Sequence, residues 1–444
     1  MESELKHIQE LGFNCIRVLY SLSFLSNPQD IMSIDLAELE QLDELISWGL
    51  KYNLHVMVSI TGMPGKKNTS REEESVNSNA AVMADPVYYD AYSAYMEMLA
   101  RRYAEIPANV LSFELLAEPK SDDTQKDPIK AYVKALTPVA KSMWKHNPDR
   151  ILIANDMWHQ VPTGLAKIGC CLSLHNHIYF VNSDEIQNMT NVKCKTHWPM
   201  EYMPSLWQKG QTITLTSENG FEEGTLQLHY EFFQKKPEVR IDGEIAVTQE
   251  ENRQNVQEYE AFQYEIPAGT KTIEMRFKGT VVLLVLELNQ ASGNVILPTH
   301  DAFNTSVNDK KVTILVHSDG STENIDKPQK VVDGPYLYKT YIEDFVKCAK
   351  KYKVSFLMTE VGTDTQSLTP DEYVAYHECW LKELSQRGIP WMYNCIHNIY
   401  APKSIMWQNE RGGFTQIRTF EDSPYAENAM ITDLLVKYQQ IVTP

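Results

Sequence analysis

Two hydrophobic periods alternate along the first third of the chain. "ESELKHIQEL" places Leu5, Ile8 and Leu11 on one helical face, and "NCIRVLY" follows as a strand. "DLAELEQLDELISWGLKYN" reads as a long amphipathic helix and "HVMVSI" as the next strand. A polar loop rich in Gly, Lys, Glu and Asn comes next. Pro86 then stands where the first helical position tolerates proline, opening "PVYYDAYSAYMEMLARRYAEI". The apolar strand within "VLSFELLAEPK", a helix near 127–146, the strand "RILIAN", a short helical segment and the strand "CCLSLH" continue the alternation. Strands alternating with helices imply a parallel sheet joined by right-handed crossovers.

From about 200 to 325 the period becomes two, in "TITLT", "TLQLHYEFF", "EVRIDGEIAV", "AFQYEIPAG", "KTIEMRFKG", "VVLLVLEL" and "KVTILVHS". Short alternating runs broken by Gly, Pro and Asn predict an antiparallel sandwich or jelly roll. The helix–strand pattern then resumes with "YLYKTYIEDFVKCAKKY", "VSFLMTE", "PDEYVAYHECWLKELSQR", "IPWMYNC" and a last helix near 424–440. Without the insert, seven strand–helix repeats follow a lone first helix. The expected fold class is therefore α/β: a (β/α)8 TIM barrel lacking its first strand, with an all-β sandwich inserted after the sixth. The lone helix suggests a truncated N-terminus; a true seven-stranded barrel is the alternative. The expected division is barrel over 1–185, inserted sandwich over 186–333 and barrel again over 334–444.

Composition narrows the function classes. With 444 residues, 43% hydrophobic and 23% charged, the chain can bury a sizeable core as a soluble protein. A net charge of -18 without any Lys/Arg-rich run argues against nucleic acid or an anionic membrane as partner. The longest apolar run, "VVLLVLEL", is strand-length and too short for a membrane span. The seven cysteines are odd in number and lack C-x-x-C spacing, which fits free thiols in a reducing compartment. With no secretory leader in view, a cytoplasmic location is expected.

Barrel enzymes carry their reactive groups at the C-terminal strand ends. Here those ends supply Arg17, Thr61, Glu118, Asn155, His175 with His177, Glu360 and Asn394. Two carboxylates facing each other across a barrel mouth are the minimal equipment for glycoside hydrolysis. One donates a proton to the leaving oxygen, and the other attacks the anomeric carbon or activates water. Glu114 shares strand parity with Glu118 four residues deeper. It is expected to be structural, paired with an arginine from a neighbouring strand. Trp158, just beyond the fifth strand, is the best candidate for a sugar platform, with Trp391 and Trp407 behind it. "HNH" has the spacing of a metal pair, but no matching His, Lys and Asp set accompanies it, so neither metal nor organic cofactor is expected.

Several segments together resemble glycoside hydrolase family 5. "LKHIQELGFNCIRV" is similar to the family's first helix and second strand, and "VSITGMPG" to its "LHGAPG"-type loop. "MLARRYAEIPANVLSFELLAEP" is similar to its fourth-strand run, "SLHNH" to its sixth strand and "FLMTEVG" to its nucleophile strand. The resemblance implies that Glu118 is the acid/base, Glu360 the nucleophile and Arg17 the residue that orients it. It also implies that His175 contacts substrate, with His177 where the family has Tyr and Asn394 or Cys395 where it has the Trp that floors the sugar subsite. Retention of anomeric configuration is implied, with carboxyl groups about 5–5.5 Å apart. The expected partner is a β-linked glucan, mannan or related oligosaccharide. Departures accompany the matches: Ala117 replaces the Asn before the acid/base, and Thr61 replaces a His. They leave a binding-only protein on a degenerate barrel as one alternative, and a metal-dependent hydrolase as a weaker one. The insert weakly resembles a galactose-binding type of carbohydrate-binding module, and a lid or oligomerisation module is equally open. Its position in a βα loop would place it at the mouth of the barrel, with Trp198 and Trp207 shaping the cleft.

Overall fold

Alternating periods give the barrel its parallel sheet. In the computed structural model the strands run in the order Cys15–Ser21, His55–Thr61, Leu111–Glu114, Ile151–Asn155, Cys171–His175, Phe356–Val361 and Trp391–Tyr393. Each is parallel to its neighbour. The structure describes residues 2–22, 26–27, 30–34, 36–62, 79–119, 127–157, 160–175, 205–233, 235–247, 260–279, 281–298, 311–325, 338–362, 370–393 and 429–439. The sheet is nearly closed. Phe13, just before its first strand, meets Trp391 of its last strand edge-on, with centroids 6.4 Å apart.

This barrel belongs to one of two units, formed by Met1–Asn176, Tyr341–Gly362 and His377–Pro444. Its helices begin where sequence punctuation puts them. Asp85 caps Pro86–Arg102 by accepting from the Val87 N–H, and Asp127 caps Pro128–His146 by accepting from the Lys130 N–H. Proline follows both caps, at a position where a missing N–H costs nothing. At the opposite end of the strands, buried Arg150 donates to the carbonyls of Tyr103 and Ile106 (both 2.7 Å) and Leu111 (2.6 Å). One guanidinium therefore ties the turn after a helix to the start of the next strand.

Among the described residues, the second unit, His177–Thr340 with Thr363–Tyr376, contains two β-sheets. The five-stranded sheet runs Glu260–Ile266, Gly224–Phe233, Val281–Gln290, Gly293–Pro298, with Ser205–Trp207 also paired to Val281–Gln290. The six-stranded sheet runs Glu244–Ile245, Glu238–Ile241, Thr272–Arg276, Thr212–Thr216, Lys311–Val316, Thr322–Asn324. Alternate residues of both, including Ile213, Leu215, Leu226, Leu228, Ile273 and Leu286, form one apolar core.

Three sequence expectations change here. Lys311–Val316 lies parallel to Thr212–Thr216, so the sandwich is not wholly antiparallel. Trp207 does not reach a cleft: it is fully buried and stacked on Phe277, with centroids 4.8 Å apart. Trp391 opens its strand rather than ending it, and packs on Phe13. Among the described residues, no helix is long and apolar enough to cross a membrane.

Candidate active site

Hydroxyl and charged side chains replace apolar ones on the inward face of the barrel. Strand register puts Ser59 opposite Glu114, Asn155 opposite Ser173 and His175 opposite Thr359. Glu114 is completely buried and surrounded by donors. It accepts from Arg17 Nε (2.9 Å) and Nη2 (2.7 Å), Ser173 Oγ (2.7 Å), Asn155 Nδ2 (2.7 Å) and Ser59 Oγ. Burial pushes this carboxyl up, but the Arg17 and His175 charges and the serine hydrogen bonds outweigh it and hold it below the usual range. The arginine that pairs with Glu114 is Arg17, from two strands away rather than from the neighbouring strand expected. It is the third residue of Cys15–Ser21 rather than its end, so its guanidinium reaches upward from inside the barrel.

From that anchor Arg17 extends Nη1 to Glu360 Oε1. His175 Nε2 lies 2.7 Å from the same oxygen. Burial again pushes the Glu360 carboxyl up, and the charges and hydrogen bonds of His175 and Arg17 reverse that, holding it well below the usual range. His175 is itself buried, and its backbone N–H donates to Asp156 Oδ1 at 2.7 Å. Asn155 Nδ2 approaches His175 Nδ1 at 2.6 Å. An amide N–H is only a donor, so in the neutral imidazole Nδ1 accepts and Nε2 carries the proton, aimed at Glu360. Burial disfavours the imidazolium, yet the Glu360 charge prevails and raises His175 above the ordinary histidine range.

Glu118 lies four residues beyond the strand Leu111–Glu114. Its Oε1 is 3.9 Å from His175 Nε2, and its side chain is 40% exposed. This acid therefore faces solvent, while Glu360 at 15% is largely covered. Both acids hold left-handed backbone, with φ of 44° at Glu118 and 59° at Glu360. Non-glycine residues rarely adopt this region, and such strain concentrates at working sites. One donor atom each from Glu118, His175 and Glu360 lie within 4.8 Å of one another. That spacing suits a metal ion, but hydrogen bonds from Arg17 and His175 already satisfy Glu360 Oε1. Chemically, the arrangement presents an ionised carboxylate, held on two sides, beside a solvent-facing carboxyl able to exchange protons.

Arg17, His175, Glu118 and Glu360 are thus brought together. Trp158, His177, Asn394, Trp198 and Trp407 lie outside the described residues. Thr61 ends its strand, half-buried. Sequence reasoning missed Ser59, Ser173 and Asp156 as parts of the network. The available signal was a small hydroxyl at an inward position of each apolar strand, in "VSI" and "LSL".

A family model described as cellulase (glycosyl hydrolase family 5) matches residues 1–255, more than half of the chain. No curated protein sequence matches. A solved structure titled as a glycoside hydrolase is 14% identical, with a TM-score of 0.52 over 98% of this chain and 92% of that one. Endoglucanase Cel5A from Thermotoga maritima is 13% identical, with a TM-score of 0.47 over 98% and 89%. The cellulose synthase subunit Z of Clostridioides difficile is 13% identical, with a TM-score of 0.46 over 98% and 91%. At such identity the first likeness speaks to the fold alone.

Proposed function

The chain belongs to the cellulase family, glycosyl hydrolase family 5, and on that premise we propose that it hydrolyses O-glycosidic bonds in a β-linked glucan, mannan or related oligosaccharide with retention of configuration. Glu360 attacks the anomeric carbon while Glu118 gives its proton to the leaving oxygen. The C–O bond to the leaving group breaks as the bond to the Glu360 oxygen forms. Glu118, now a carboxylate, takes a proton from water, which displaces Glu360 and restores both acids. Arg17 and His175 keep Glu360 ionised and aimed.

One observation carries this reading. An ionised Glu360, fixed by Arg17 and His175, has a Glu118 oxygen within 4.8 Å. Such closeness suits the separation of about 5–5.5 Å used in double displacement, and leaves too little room for the water of an inverting site, which needs about 6.5–9.5 Å. The binding-only alternative is not favoured, because both acids and the residues that tune them converge. Proton NMR of the first product from an aryl β-glycoside tests the proposal. The β-anomer should appear first; an initial α-anomer, or no turnover across gluco- and manno-configured substrates, overturns it.

A further inference from the structure

Beyond the strand His55–Thr61, the Asn79 side chain is buried against the barrel. Its Nδ2 donates to the carbonyl of Ala117 at 2.8 Å and to the carbonyl of Glu118 at 3.4 Å. Its Oδ1 accepts from the Gly62 N–H at 3.2 Å. Those two carbonyls flank the Cα of Glu118. Holding both from a single amide fixes the two peptide planes whose relative rotation defines φ and ψ of Glu118. That residue sits in left-handed backbone, at φ 44°, and precedes Pro119, so nothing local favours its conformation.

The other end of the bracket is equally fixed. Gly62 has φ +60°, and a Cβ there would lie 2.1 Å from Ser21 Oγ, so a larger residue would be strained and would displace that hydroxyl. Gly62 also accepts from the Leu22 N–H at 3.1 Å, while the Ala117 N–H donates to Ile60 at 2.7 Å. Asn79 therefore spans from the end of the second strand to the peptides of Glu118, and neither Ala117 nor Glu118 has a side chain that could replace it. From this geometry we infer that Asn79 is a positioning residue for the acid/base: it holds the left-handed turn that points the Glu118 carboxyl at His175 and Glu360. This inference rests on the proposed role of Glu118. It adds a residue that touches neither substrate nor the reacting carboxyls.

Two substitutions isolate the effect. Asn79→Ala removes all three hydrogen bonds. Asn79→Asp keeps an acceptor for Gly62 and turns a second oxygen toward the two carbonyls. A general acid matters most for a poor leaving group and little for a good one. Both variants should lower kcat/KM on an unactivated oligosaccharide by about 10- to 100-fold, the scale of a small misplacement of a catalytic group. On a 2,4-dinitrophenyl glycoside the fall in kcat/KM should stay within about threefold, while slower release of the glycosyl-enzyme lowers kcat and KM together. Equal losses on both substrates, or none on either, overturn the inference. A crystal structure of Asn79→Ala supplies the second readout, independent of turnover. Glu118 should leave positive φ; retention of the left-handed turn overturns the role of Asn79. If the parent protein cleaves no glycoside, the hydrolase reading fails, while the Glu118 backbone in that crystal structure still decides what Asn79 does.

Discussion

Glu114 in the barrel and Glu287 in the sandwich are buried alike, at 0% and 1% exposure, yet they are held differently. Glu114 is met by Arg17, Ser59, Ser173 and Asn155, which between them satisfy both oxygens. Glu287 has His229 Nε2 at 3.1 Å and Asn294 Nδ2 at 3.5 Å, and the Nδ1 of His229 finds no partner among the described residues. The first arrangement continues upward: the arginine that neutralises Glu114 is the one that grips Glu360. The second is a pair across neighbouring strands, with an apolar core on the other face of its sheet. A buried charge stabilises little by itself. The contrast teaches that the barrel's polar interior is a foundation for the acid above it.

The largest break in this comparison is Glu360→Gln. It should lower turnover of an aryl β-glycoside by about 10⁴-fold or more with the fold intact, since the proposed nucleophile is lost. Activity near the parent's in steady-state assays would show that the foundation supports something else. Next comes Glu114→Ala, which leaves Arg17 half-paired inside the barrel. Removing one member of a buried pair costs about 3–5 kcal/mol, readable by urea unfolding, and turnover should fall with it.

That loss should depend on pH. Glu114 and Glu360 both titrate below the ordinary glutamate value of 4.5 when folded. Stability from them is fully present above 4.5 and is lost as pH falls through the lower, folded values. The parent should therefore weaken steeply below pH 4.5, and Glu114→Ala should flatten that limb; parallel curves would break the argument. In the sandwich, Leu286→Ala empties a fully buried site and should cost about 2–4 kcal/mol. Its penalty should be the same at pH 4 and pH 7, because no charge is involved. The smallest effect is expected for the double change His229→Leu with Glu287→Leu. Replacing a whole buried pair by apolar groups is near neutral, within about 1 kcal/mol. A cost as large as that of Glu114→Ala would erase the distinction between the two regions.

Much of the barrel was legible because period and punctuation are local. Asp85-Pro86 and Asp127-Pro128 start helices where the sequence says, and of the two acids Glu118 lies beyond one apolar strand while Glu360 is the next-to-last residue of another. Glu114 was readable as a paired acid because burial demands a partner. Pairing between distant segments was less accessible. Period two marks Lys311–Val316 as a strand but does not reveal that it joins Thr212–Thr216 in parallel. Trp207 looked like a cleft residue from its place at the insert's entry, whereas the fold buries it. Asn79 goes unseen in a polar stretch of sequence, since the role inferred for it depends on carbonyls 38 and 39 residues away. Hydrogen bonds from a side chain to distant backbone leave no mark in composition or spacing.

The central claim is that Glu360 is the ionised nucleophile for which the Arg17 network exists. Incubation with 2-deoxy-2-fluoro glycosides bearing good leaving groups, followed by intact-mass measurement and peptide mapping, tests it most directly. The expected result is one added glycosyl mass on the peptide carrying Glu360, absent in Glu360→Gln. An adduct on Glu118, or sugar binding across the panel with no adduct at all, would contradict it.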